Sequence, residues 1–195
     1  MSKVKSGTCL AVVLDDNGKL WFAGDRRMSW HWGQARISPR PKVVNNNGIL
    51  MAGTGVASIC DLVTSQFVAP PFAAVNDTHT YINQMFMPTL MQFLRDGGYV
   101  ARDRVQLHLQ ERTEEFGDSY ATTILIGVGS DLYELDIDHS LISALQVDLP
   151  YTAGCGGDLA LGSLLTTGLG KMPPRKRLTL ALQVAAEISP GCDSN

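Results

Sequence analysis

Charge is scarce in this chain. Asp, Glu, Lys and Arg make up 18% of its 195 residues, and the formal net charge is −3 with a pI near 5.7. That balance gives no support for nucleic-acid or anionic-membrane binding. Long apolar runs are also missing: all fall well short of the roughly 20 residues that cross a bilayer as a helix. Residues 1–7 carry two lysines and no apolar stretch, which excludes a secretory signal. They read instead as a short propeptide or N-terminal extension, with a single domain over 8–195. The four cysteines, Cys9, Cys60, Cys155 and Cys192, show no CxxC spacing. This argues against a zinc site or a disulfide frame and for free thiols in a reducing compartment, the cytoplasm. The glycine-rich stretch Ala153-Gly154-Cys155-Gly156-Gly157-Asp158 lacks both the GxGxxG order and a Walker lysine, so it is not a phosphate cradle. No metal or organic cofactor is expected.

What is present begins with 45% hydrophobic residues, enough for a substantial core. The chemistry-bearing pattern lies near the start. Ser6-Gly7-Thr8-Cys9-Leu10-Ala11-Val12-Val13 sets a hydroxyl residue directly after glycine, at the head of an apolar strand. Asp15-Asp16-Asn17-Gly18 is a hairpin signal, because Asn-Gly suits the positive φ angles of such turns. Residues 19–24 return as the second strand, so antiparallel geometry brings Asp25 beside Thr8. Arg40-Pro41-Lys42-Val43 then places a lone lysine in another extended segment, over 40–44. A second hairpin follows through Asn45-Asn46-Asn47-Gly48 into a strand over 49–53. Two hairpins in a row suggest a meander with Thr8, Asp25 and Lys42 on consecutive strands of one sheet. If the chain is cut between Gly7 and Thr8, Thr8 carries an α-amine and a hydroxyl on one residue. The amine, with a reference pKa of about 7.7–8.0, is a built-in general base for a hydroxyl that is otherwise a poor nucleophile. A lysine balanced by an aspartate would hold the amine's pKa down by like-charge repulsion.

Downstream, helical periodicity covers 56–67, with Val56, Ile59, Val63 and Phe67 on one face, and 80–95, capped at Asp77-Thr78 and interrupted by Pro88. Gly97-Gly98 ends the second helix. Residues 99–118 read as a polar surface excursion. Strands are expected over 122–128, 132–137 and 142–147, and helices over about 159–167 and 177–188. Trp30-His31-Trp32 falls in an expected loop, as a packing or subunit-contact cluster.

Gly7-Thr8, Gly24-Asp25, Pro41-Lys42-Val43, Met51-Ala52-Gly53-Thr54-Gly55 and the stretch from Ala153 to Leu161 together resemble the N-terminal-nucleophile hydrolases. Among them the likeness is to the proteasome β-subunits and the bacterial and phage proteasome-like peptidases. The resemblance implies an α/β (α+β) fold: a four-layer αββα sandwich of two antiparallel sheets flanked by helices. It implies a threonine peptidase whose Thr8 is freed by autoprocessing after Gly7, with Lys42 and Asp25 setting the electrostatics. A backbone N–H around Gly53 would serve the oxyanion hole. The family has a serine where this chain has Cys155, and an acidic residue and a serine near Glu187 and Ser189. It also implies a peptide or unfolded-protein substrate, a homo-oligomeric ring and an ATP-dependent unfoldase as partner. Two alternatives stay open: a catalytically silent ring or shell protein, and an amidase of the same superfamily acting on a small molecule. The family usually continues with another strand past this chain's end, so the expected sheet is truncated or shorter.

Overall fold

A computed structural model describes residues 7–29, 35–72, 77–97, 122–138, 141–189 and 191–192. They fall into two compact units. One is drawn from both ends of the chain, up to Val44 and from Val147 onward; the other is Asn45–Gln146.

The first unit holds β1 (Leu10–Leu14), β2 (Leu20–Gly24) and β10 (Tyr151–Ala153) in a sheet ordered β10-β1-β2. It also has a small hairpin of β3 (Arg27–Ser29) and β4 (Ala35–Ile37), and two helices, α4 (Gly157–Gly168) and α5 (Pro174–Ile188). The period-2 alternation of β1 sends Cys9, Ala11 and Val13 to one face, where they meet Ala160 and Leu164 of α4 and Leu178, Ala181 and Ala185 of α5. The α5 residues are those whose helical spacing predicts an inward face, apart from Leu182, which packs against this cluster only partly buried.

The β1–β2 turn uses its Asn-Gly differently from the simple two-residue form. Asp15 and Lys19 close a three-residue loop in which Gly18 takes a positive φ of 74° and Asn17 does not. The Asp15 carboxylate organises the loop, accepting from Asn17 N and Lys19 N through Oδ1 and from Trp21 Nε1 through Oδ2, each at 2.9 Å. The indole contact, followed by the Lys19 amide, holds this carboxyl below its ordinary pKa.

The second unit is built on a five-stranded sheet ordered β5-β6-β7-β8-β9: β5 (Val43–Asn46), β6 (Ile49–Thr54), β7 (Thr122–Val128), β8 (Asp131–Asp138) and β9 (Leu141–Val147). Here Asn47 and Gly48 both have positive φ, the two-residue turn that Asn-Gly favours. Asn46 and Asn47 do more than turn the chain. Their side-chain amides donate to Phe67 O and Ala69 O, and Ala69 N donates back to Asn46 Oδ1.

Helix α1 (Ala57–Ser65) follows β6. A longer helical stretch then runs as α2 (Thr78–Tyr81), a π-helical turn over Ile82–Phe86, and α3 (Met87–Asp96). Asp77 caps its start, accepting from Thr80 N at 2.6 Å. Pro88 does not split it: the helical stretch is continuous from Thr78 to Asp96. The wider turn sits just ahead of the proline, where the ring would otherwise press on the carbonyl of Gln84.

Three expectations need correction. The two Asn-Gly hairpins do not form one meander; they belong to different sheets. Lys42 is not in a strand but in the bend just before β5. Tyr151–Ala153, where no strand is expected, is strand β10, and three residues beside β1 are too few to leave a period-2 signal. Trp30-His31-Trp32 and the polar stretch 99–118 lie outside the described residues. Among the described residues no helix is long and apolar enough to cross a membrane.

Candidate active site

Thr8 precedes β1 and Asp25 follows β2, so the Leu10↔Gly24 register places them at the same end of the hairpin. Cys9 and Asp25 then bind each other twice: Asp25 N donates to Cys9 O at 3.0 Å, and Cys9 N donates to Asp25 Oδ1 at 2.9 Å. This fixes the residue after Thr8 against a fully buried carboxylate.

Lys42 reaches the same place by a different route. Arg26, next to Asp25, donates from Nε and Nη2 to Ser38 O at 3.1 and 2.7 Å, and Ser38 N donates to Arg26 O. The Ser38 hydroxyl in turn donates to Arg40 O and accepts from Arg40 N. The segment leading to Lys42 is thus tied back to the end of β2.

Lys42 Nζ donates to Asp25 Oδ1 at 2.7 Å and to Thr8 Oγ1 at 2.9 Å. The lysine side chain is 12% exposed and the aspartate 0%. Asp25 Oδ2 accepts from Arg27 N at 3.3 Å. The buried carboxylate thus accepts from two backbone N–H groups and the Lys42 ammonium, so its oxygens are hydrogen-bonded. The consequence for Thr8 is specific. Its oxygen accepts from a cation, which stabilises negative charge on that oxygen, while its own proton is not committed to Asp25.

On the other side of Thr8 lies the β10–α4 turn. Gly156 N donates to Thr8 O at 3.4 Å, and the Thr8 amide donates to the Cys155 sulfur. Cys155 Sγ is also 3.6 Å from Ser189 Oγ, just past α5, and 3.8 Å from Cys192 Sγ. The contact with Cys192, followed by burial, pushes the Cys155 thiol well above its ordinary pKa. Cys192 is raised to about 11: its bond with Cys155 pulls it down, but the Cys9 contact and burial outweigh that. Both thiols are protonated near neutrality. At Gly7, a side chain would come within 2.3 Å of the Gly191 backbone, so only glycine fits immediately before Thr8.

The structure therefore brings Thr8, Asp25, Lys42, Cys155 and Ser189 together. Glu187 is exposed on the last turn of α5, and its side chain makes no hydrogen bond or ion pair among the described residues. Gly53 belongs to the second unit, where it lies in β6; a side chain there would meet Cys60 Cβ at 2.9 Å and Ile124 Cδ1 at 3.0 Å. Sequence reasoning missed Cys192, which no spacing rule links to Cys155, and the Arg26–Ser38 brace, whose acceptor is a backbone carbonyl.

No family model matches this chain, and no curated protein sequence matches it. Solved structures do. Thiobacillus denitrificans BPH in complex with epoxomicin superposes with a TM-score of 0.66 at 17% identity, over 95% of this chain and 92% of that one. Eukaryotic HslV from Trypanosoma brucei gives 0.63 at 12% identity, over 96% and 95%. A second structure of Thiobacillus denitrificans BPH gives 0.57 at 16%, over 95% and 92%. The chain has the fold of the proteasome-like N-terminal-nucleophile peptidases, mixed helix and antiparallel sheet, as its sequence resemblance implies.

Proposed function

We propose that this protein is a proteasome-like threonine peptidase that frees its own nucleophile by cutting after Gly7, leaving 8–195 as a single functional domain. The observation that carries this reading is the position of Lys42 Nζ, 2.9 Å from Thr8 Oγ1 and 2.7 Å from Asp25 Oδ1. In the uncut chain Thr8 Oγ attacks the Gly7 carbonyl, the Gly7–Thr8 C–N bond breaks, and the acyl group moves to oxygen as an ester. Water hydrolyses the ester to a Gly7 carboxylate and a free Thr8 amine.

In the mature enzyme the amine takes the hydroxyl proton as Oγ attacks a substrate peptide carbonyl, and returns it to the leaving amine. Lys42 stabilises the developing alkoxide and, by like-charge repulsion, favours the neutral amine. Asp25 holds Lys42 in place. A backbone N–H donor to the oxyanion completes the proposed mechanism, a contribution of about 2.7–4 kcal/mol where such donors have been removed. Cys155 and Ser189 position the Thr8 nitrogen.

An unselective peptidase in the cytoplasm needs enclosure, so a closed homo-oligomeric ring of at least six copies, fed unfolded protein by an ATP-dependent unfoldase, belongs to the same proposal. The test is hydrolysis of fluorogenic peptides together with epoxomicin labelling, since one of the similar structures holds that compound. Turnover by wild type, none by Thr8→Ala, and an epoxomicin adduct mapped to Thr8 are expected. A wild-type protein with an intact residue 7–8 bond and no turnover would point to the silent shell protein. Cleavage after Gly7 with turnover of small amides but not peptides would point to the amidase.

A further inference from the structure

We propose that Cys155 and Cys192 form a reversible disulfide that takes the Cys155 sulfur away from the Thr8 nitrogen, making the site responsive to small-molecule disulfides. The consequence for activity rests on the peptidase reading; formation of the bond does not.

Three observations support it. The two sulfurs are 3.8 Å apart and come from chain segments on opposite flanks of the α4–α5 pair, so the bond would close a loop around both helices. Their exposures differ: Cys155 is exposed and Cys192 is buried. An outside oxidant therefore meets Cys155 first, and Cys192 serves as the resolving thiol, needing no access of its own. The approach of Cys192 is built in, because Gly156 stands where any side chain would come within 2.5 Å of the Cys192 sulfur and 3.1 Å of Cys9 Cβ.

The step balances as thiol–disulfide exchange. Cys155 thiolate attacks a small disulfide, forming a mixed disulfide and releasing one thiolate. Cys192 thiolate then attacks the Cys155 sulfur and releases the second. The protein loses two protons and two electrons, and the small disulfide becomes two thiols. Because both thiols are held protonated, the exchange is slow: it answers sustained oxidation and leaves the reduced site undisturbed by brief exposure. A disulfide needs the sulfurs at about 2.0 Å, against 3.8 Å here, so forming it displaces the Cys155 sulfur from the position in which it accepts from the Thr8 N–H.

The test incubates the full-length protein with oxidised glutathione, alkylates the remaining thiols, and maps cross-linked peptides while following peptide hydrolysis. A Cys155–Cys192 peptide, loss of hydrolysis in step with its appearance, and recovery of both after dithiothreitol are expected. Cys192→Ser should keep its reduced-state activity and lose the inhibition, its folding being checked by thermal melting. The Thr8→Ala protein should form the same cross-link. Stable mixed glutathione disulfide at Cys155, a cross-link through Cys9, or full hydrolysis by the cross-linked enzyme overturns the proposal. A correct cross-link in a protein inactive in both states supports the dithiol site and overturns the peptidase reading alone.

Discussion

Each unit of the molecule contains a threonine hydroxyl close to an aspartate, and the two pairs are wired oppositely. In the second unit Thr78 Oγ1 donates directly to Asp131 Oδ2, with Tyr133 Oη 3.0 Å from the same hydroxyl. The proton of Thr78 is thereby committed, and the cluster pins the start of α2 to the start of β8. In the first unit Lys42 stands between Thr8 and Asp25, so the Thr8 oxygen accepts and its proton remains available. The surroundings differ too. Asp25 is fully buried beside the Cys9-to-Val13 strand, whereas Asp131 and Thr78 are partly exposed. A hydroxyl–carboxylate bond is a structural fastener; a lysine inserted into it yields a polarised nucleophile, at the cost of burying an ion pair.

The largest expected effect breaks that inserted pair. Asp25→Ala leaves Cys9 N without its side-chain acceptor and Lys42 with Thr8 Oγ1 alone, and removal of one partner of a buried pair costs about 3–5 kcal/mol. Urea denaturation should report a loss of that size, together with abolished processing. Lys42→Ala should stop both the cut after Gly7 and peptide turnover in a chain that remains folded. Lys42→Arg should also fail, because a planar guanidinium cannot take the place of a compact ammonium between two oxygens. Normal turnover by Lys42→Ala protein contradicts the mechanism.

The fastener should behave more mildly. Asp131→Asn weakens a hydrogen bond to a charged group, about 1.5–3 kcal/mol at most, and should leave processing intact when measured by intact mass. The smallest effect belongs to a third carboxylate, the exposed cap Asp77, held below its ordinary 3.8 by the Thr80 hydroxyl and amide. Its folded-state pKa is depressed, so its stabilisation is complete above 3.8 and is lost as pH falls through the lower folded value. Asp77→Ala should lower Tm slightly at pH 7 and converge with wild type in strong acid, with no effect on the site.

The same contrast explains what could be read from the sequence. Thr8 and Asp25 were legible because a hairpin signal of four residues, Asp15 to Gly18, fixes which strand ends meet. The five strands and the two helical runs of the second unit follow from apolar periodicity, which burial enforces. Lys42 was legible as a residue but not as a position: it is delivered by Arg26 and Ser38 through backbone carbonyls, and any sequence offers those. Cys192 lies 37 residues from Cys155 and meets it only because α4 and α5 pack as a pair against β1. The π-helical turn ahead of Pro88 answers a steric demand that the proline announces without saying how it is met.

The central claim is that the Lys42-polarised hydroxyl of Thr8 is a working nucleophile, and its first substrate is the chain itself. Intact mass of purified wild type and Thr8→Ala, measured after prolonged incubation, tests this most directly. A wild-type chain beginning at Thr8 and a Thr8→Ala chain that retains Gly7 and what precedes it are expected. A wild type that keeps Gly7, or a Thr8→Ala protein that loses it at the same rate, contradicts the account.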